Sequence, residues 1–232
     1  MQPQPAVKFS FRELYVILMA GLGGLLYGVD IGVIAAALPY IADTVRMTVA
    51  QTSFVVAAVL AGSSISTLAG GFLADRIGRK GAIVTAAVMF VGSIVAIGMA
   101  HAYAPLLTGR FIQGMSGGIV AVVVPLYLAE ELPAERRGRG TAIFQFSLTL
   151  GRAVAAFVGS FYTRHVEAII RNSVGRPEVA RMAEDHAWRS MFFALLYPGV
   201  AFLMVGVFLK ESRYWTAYPF RPGEPRLYRR TA

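Results

Sequence analysis

Six apolar stretches dominate the chain, at about 14–40, 52–73, 82–101, 105–128, 141–162 and 190–209. Each is close to or longer than the roughly 20 residues that a helix needs to cross a hydrocarbon core about 30 Å thick. A chain in lipid must satisfy its own backbone polar groups, which leaves helices or closed barrels. Barrel strands alternate apolar and polar residues, and these stretches do not. The sequence therefore predicts an all-α membrane protein of six transmembrane helices over 14–209. A short N-terminal segment (1–13) precedes them, and a tail (210–232) without regular structure follows. Composition agrees, with 56% hydrophobic and 15% charged residues and a mean hydropathy of +0.58. That is too little charge to cover a soluble surface.

The first stretch is too long for a signal-peptide core, and no clear small-residue cleavage site ends it, so it reads as a span. Fourteen Lys and Arg residues fall in the segments that share a side with the N-terminus, and six fall in the opposite segments. The positive-inside rule then places both termini in the cytoplasm of a plasma or inner-membrane protein. The net charge of +9 lies in short loops between spans, which argues against a nucleic-acid partner and for membrane lipid. The absence of cysteine and the scatter of three histidines exclude disulfides and give no metal-ligand spacing. Neither a nucleophile elbow nor a phosphate loop is present, so neither an enzyme nor a cofactor site is expected.

Small residues repeat at spacing four in the first stretch (Gly24, Gly28, Gly32) and in the fourth (Gly114, Gly118). Such ridges let helix backbones approach closely in lipid. They serve static packing or, equally, sliding surfaces.

The strongest local motif is Gly71-Phe72-Leu73-Ala74-Asp75-Arg76-Ile77-Gly78-Arg79-Lys80, between the second and third stretches. Gly109-Arg110-Phe111-Ile112-Gln113-Gly114 follows. Pro125-Leu126-Tyr127-Leu128-Ala129-Glu130 comes next, with Pro133 and Arg137-Gly138 behind it. In this order and spacing the motifs resemble those of the major facilitator superfamily, sugar porter type. The resemblance implies one six-helix half of a twelve-helix carrier, built from two inverted three-helix repeats. It also implies cytoplasmic ion pairs among Asp75, Arg76, Arg79, Glu130 and Arg137 that brace one half against the other. The missing partner is then a C-terminal half or a homodimer mate.

Two ionisable residues lie inside spans at similar depth, Asp30 in the first and Arg110 in the fourth. Unpaired charge at a helix centre costs about 2.5–3.5 kcal/mol, so a pair is favoured. An aspartate that trades an arginine for a proton is a coupling device, and proton-linked members of the family resemble this. A static structural pair is the alternative. Gln145, Thr149 and Arg152 share one stripe of the fifth helix and, with Gln113, are candidates for the substrate cavity. Related carriers hold a glutamine where Arg152 stands and a glutamate near Leu195. Arg152 serves either an anionic solute such as a sugar acid or Asp30 as a second partner.

After the sixth stretch, Lys210-Glu211-Ser212-Arg213-Tyr214-Trp215 lacks two prolines of the family pattern. That departure is expected of a truncated or frame-shifted gene. Two functions follow as expectations. One is secondary transport of a sugar or related small polar solute, coupled to protons. The other is a non-transporting remnant or membrane interaction module with half a carrier's fold.

Overall fold

The structure is a computed structural model, and it describes residues 10–172 and 176–217. Among them every regular element is helical: α1 (Phe11–Val45), α2 (Val49–Gly98), α3 (Tyr103–Glu131), α4 (Ala134–Asn172), α5 (Pro177–Ala194), α6 (Leu196–Phe208) and α7 (Arg213–Ala217).

Local chemistry sets the ends. The Ser10 backbone N–H donates to the Glu13 carboxylate at 2.8 Å, which satisfies an orphan donor at the start of α1. Arg46 stops α1 in the left-handed region, at φ 56°. At α2, Thr48 and Gln51 cap each other reciprocally: the Thr48 N–H donates to the Gln51 side chain at 2.9 Å, and the Gln51 N–H donates to Oγ1 of Thr48 at 3.2 Å.

The expectation of six separate helices is corrected. Five helical stretches among the described residues are long and apolar enough to cross a membrane, the last spanning Pro177–Ala217. The predicted second and third stretches run together as the 50-residue α2, whose helical geometry fails at Gly78 (φ 86°, ψ 163°). Apolar periodicity carries no information about whether a turn between two helices is tight enough to leave the hydrogen-bond ladder almost continuous. The segment before the predicted sixth stretch is helical too, as α5, which meets α6 at Leu195. The tail is helical over Arg213–Ala217, because its side chains and backbone find partners on the bundle; the remainder of 210–232 beyond Ala217 lies outside the described residues.

Two helix pairs form the frame, and glycine makes both close. Along α1, a Cβ on Gly24 would strike the Phe144 carbonyl of α4, and one on Gly28 would strike the Leu148 carbonyl. Along α3, Gly114 meets the Val59 carbonyl of α2 and Gly118 meets Ser63 and Ser66. Such approach maximises dispersion contact where lipid supplies no hydrophobic drive between helices. Trp188, Tyr127, Phe90, Phe192 and Phe202 fill the centre, each fully buried. Large apolar side chains such as Phe54, Leu68, Phe157 and Tyr197 are exposed on the outside, as lipid contact permits.

Candidate functional site

Three groups of polar side chains interrupt the apolar bundle. The first lies between α1 and α3. Asp30 and Arg110 are 1% and 2% exposed, with Nη1 of Arg110 3.7 Å from Oδ1 of Asp30. That distance is a Coulombic contact and too long for a hydrogen bond. The same Nη1 donates to Oε1 of Gln113 at 2.7 Å, one turn along α3. Gln113 is fully buried; its side-chain oxygen holds Arg110, and its side-chain nitrogen has no partner among the described residues. The Arg110 guanidinium also sits 5.6 Å from the Phe192 ring centroid, a cation–π contact from α5. Neither oxygen of Asp30 accepts a hydrogen bond from a described residue. Asp30 also borders a narrow gap shared with Tyr27, Phe90, Ser116 and Gly117.

The second group gathers at the end of the bundle that holds Gly78. Arg79 grips Glu130 through Nε, 3.0 Å from each carboxylate oxygen, and through Nη2 at 2.7 Å. Its Nη1 donates to Asp75 at 3.0 Å and to the Ala74 carbonyl at 3.1 Å. This fork geometry is specific to arginine. Asp75, Arg79 and Glu130 are thus brought together. Arg137 is not: its Nε donates to the Leu132 carbonyl at 3.1 Å, because the short link into α4 turns it back on the end of α3. Arg76 is exposed, and its side chain makes no hydrogen bond or ion pair among the described residues.

Sequence reasoning missed the residues that complete this lattice. Glu211 accepts hydrogen bonds from the backbone of Arg79 at 2.8 Å and Lys80 at 3.2 Å, capping the helical segment that restarts after Gly78. The Ser212 hydroxyl donates to Glu130. The Trp215 indole donates to the Asp75 carbonyl at 2.9 Å, and the Tyr127 hydroxyl donates to the Lys210 carbonyl at 2.8 Å. Two further ion pairs, Arg12–Glu131 at 2.6 Å and Arg136–Glu13 at 2.5 Å, tie α1 to α3 and α4. Their signal was the acid-and-base enrichment at span ends, which does not name partners. At the other end, Arg189 donates to Asp185 at 2.8 Å and to the Gly98 carbonyl at 2.5 Å, while the Trp188 indole donates to Thr44 at 3.0 Å.

The third group is a stripe on α4. Gln145, Thr149 and Arg152 are all exposed, on a face that no other element covers. The Thr149 hydroxyl turns back to the Gln145 carbonyl at 3.1 Å. Arg152 lies beside Gly32 of α1, two residues from Asp30 in sequence, yet the described residues give it no ion pair.

The chain is similar to known proteins over most of its length. The chain is 31% identical over 205 residues to the arabinose-proton symporter of Escherichia coli (strain K12), covering 88% of this chain and 39% of that protein. It is 29% identical over 203 residues to the galactose-proton symporter of the same strain, with 88% and 39% covered. A crystal structure of a D-xylose-proton symporter superposes with a TM-score of 0.76 at 26% identity, over 89% of this chain and 50% of that one. The chain spans about two fifths of the length of the curated relatives it matches. The model of the sugar (and other) transporter family matches residues 16–219. A matched region that takes in every long helix, the buried charge pair and the Gly78 lattice places this chain in the sugar (and other) transporter family.

Proposed function

We propose that the chain forms a six-crossing half of a secondary carrier. It moves a sugar or related small polar solute together with a proton, and works against a second six-helix body. A straight 50-residue helix would be about 75 Å long, more than twice a hydrocarbon core. Gly98, at one end of α2, bonds to Arg189 beside Thr44, and Gly78 sits beside Glu211 at the opposite end. Those contacts support a reversal at Gly78 and hence six crossings. Arg12 pairs with Glu131, which also accepts from the Arg213 backbone at 2.9 Å, so both ends of the described bundle share one side. The positive-inside bias makes that side cytoplasmic.

The observation that carries the reading is the Asp30–Arg110 contact. A carboxylate held by attraction alone, with neither oxygen hydrogen-bonded, takes a proton without breaking a hydrogen bond. Deprotonated, Asp30 draws α1 toward α3; protonated, it releases Arg110 to Gln113 and Phe192. In this reading Asp30 and Arg110 couple the proton, and Gln145, Thr149 and Arg152 line the solute cavity. Asp75, Arg79 and Glu130 lock the cytoplasmic end, with Arg76 and Arg137 left for the second body.

Uptake of radiolabelled L-arabinose, D-galactose or D-galacturonate into proteoliposomes containing the full chain tests this. An inward proton gradient drives accumulation in the wild type, and Asp30→Asn abolishes it. Uphill uptake that survives in Asp30→Asn removes the coupling role. A folded wild type that takes up none of the three makes the chain a non-transporting bundle.

A further inference from the structure

Arg152 is an ionised side chain near the middle of a membrane-crossing helix, and nothing within the described structure neutralises it. The three faces of α4 say what surrounds it. Phe144, Leu148, Gly151 and Ala155 are buried against the bundle. Phe146, Phe157 and Phe161 are exposed and apolar, on a face turned away from the bundle. Thr141, Gln145, Thr149, Arg152 and Ser160 form a third face, exposed and polar, between the other two. At 3.6 residues per turn the polar and apolar exposed faces diverge by roughly 120°. The apolar face suits lipid. The polar face does not, and an intramembrane arginine that lacks a partner marks a water-filled path.

Charge adds a second constraint. Gly28 and Gly32 of α1 pack on Leu148 and on the Arg152 and Ala155 level of α4, so Asp30 and Arg152 lie at similar depth. Asp30 is already committed to Arg110 and is buried away from the polar face. Asp30 and Arg110 cancel, and Arg152 leaves one positive charge at mid-span that no described residue compensates. A neutral solute would leave that charge standing in the cavity.

We infer that Arg152 recognises the anionic group of the transported solute, and that the solute is a small polyhydroxylated acid and not a neutral sugar. This rests on the carrier reading of the same cavity. The guanidinium fork takes a carboxylate in two parallel bonds. The neighbouring Gln145 amide offers both donor and acceptor to hydroxyl groups. A monoanion that travels with one proton then moves no net charge, whereas a neutral sugar with a proton would move one.

Equilibrium binding to the full chain in lipid nanodiscs, with D-galacturonate and D-galactose as a matched pair, decides it. The wild type binds galacturonate at least about tenfold more tightly than galactose. Arg152→Gln abolishes that preference, and Arg152→Lys, which keeps the charge, retains part of it. Galactose binding as tight as galacturonate binding, or an acid preference that persists in Arg152→Gln, overturns the inference and leaves the carrier reading intact. A folded chain that binds neither ligand overturns both.

Discussion

Gly78 and Glu211 compete for one small volume: a Cβ built on Gly78 would overlap the Glu211 carboxylate. Gly78 also holds φ 86°, where a side chain is strained whatever space surrounds it. Gly78→Ala is therefore expected to lose about 1–3 kcal/mol, and more if Glu211 is displaced from its cap. Gly71 stands about two turns earlier with nothing near its Cβ direction, so Gly71→Ala should be neutral or slightly stabilising. Thermal unfolding midpoints of the two purified variants in one detergent check this. Equal effects would mean that position 78 has no special role.

Glu211 itself caps the restart of α2. Its carboxylate accepts from two backbone N–H groups there and from its neighbour Ser212 at 2.9 Å. Glu211→Ala leaves those donors unsatisfied at a helix start and should cost about 1–2 kcal/mol. Glu211→Gln keeps an acceptor and loses only the attraction of a negative charge to the helix N-terminus, a loss of about 0.3–1 kcal/mol. Limited trypsin digestion reads the same effect locally. Cleavage at Arg79 or Lys80 should quicken in Glu211→Ala well before the rest of the bundle opens, and unchanged digestion would refute the cap.

The contrast between α1 and the Gly78 region shows what a sequence can disclose. Gly24, Gly28 and Gly32 recur at a helical spacing, so their close packing could be read directly, although not which helix they meet. Asp30 and Arg110 could be paired because two lone charges at matching depth have few alternatives. The role of Glu211 stayed hidden, since one acid in a polar segment carries no period and its partners are backbone atoms 131 and 132 residues away in sequence. The Gln113–Arg110 bond stayed hidden for a related reason. The position of Gln113 on α3 gave the right helix, but only the packed structure shows Arg110 consuming its amide oxygen.

The Arg110–Asp30 contact should behave as a unit. Asp30→Asn alone leaves a buried guanidinium without a counter-charge, and Arg110→Gln alone leaves a buried carboxylate, a situation that costs about 3–5 kcal/mol. Combining them removes both charges, so the double variant should lie well above the sum of the single losses. A coupling of about 1–3 kcal/mol is expected in a double-mutant cycle of unfolding free energies in mixed micelles. Additive losses would mean that the two charges are solvated separately.

Close helix contact makes the last prediction the sharpest in size. A side chain at Gly28 must displace the Leu148 carbonyl and the Gly151 backbone, neither of which can rotate aside. Gly21, two turns earlier on α1, faces only the side chains of Ser147 and Ile143, at 3.5 and 3.8 Å from its Cβ direction. Gly21→Ala should therefore be tolerated, whereas Gly28→Val should force α1 and α4 apart along the length where Asp30 lies. The separation moves Asp30 relative to Arg110, so Gly28→Val is expected to lose proton-driven uptake as well as about 3 kcal/mol or more of stability. Cysteine pairs placed across α1 and α4 read the spacing directly. Crosslinking that is as fast in Gly28→Val as in the parent would show that this contact is not set by the glycine.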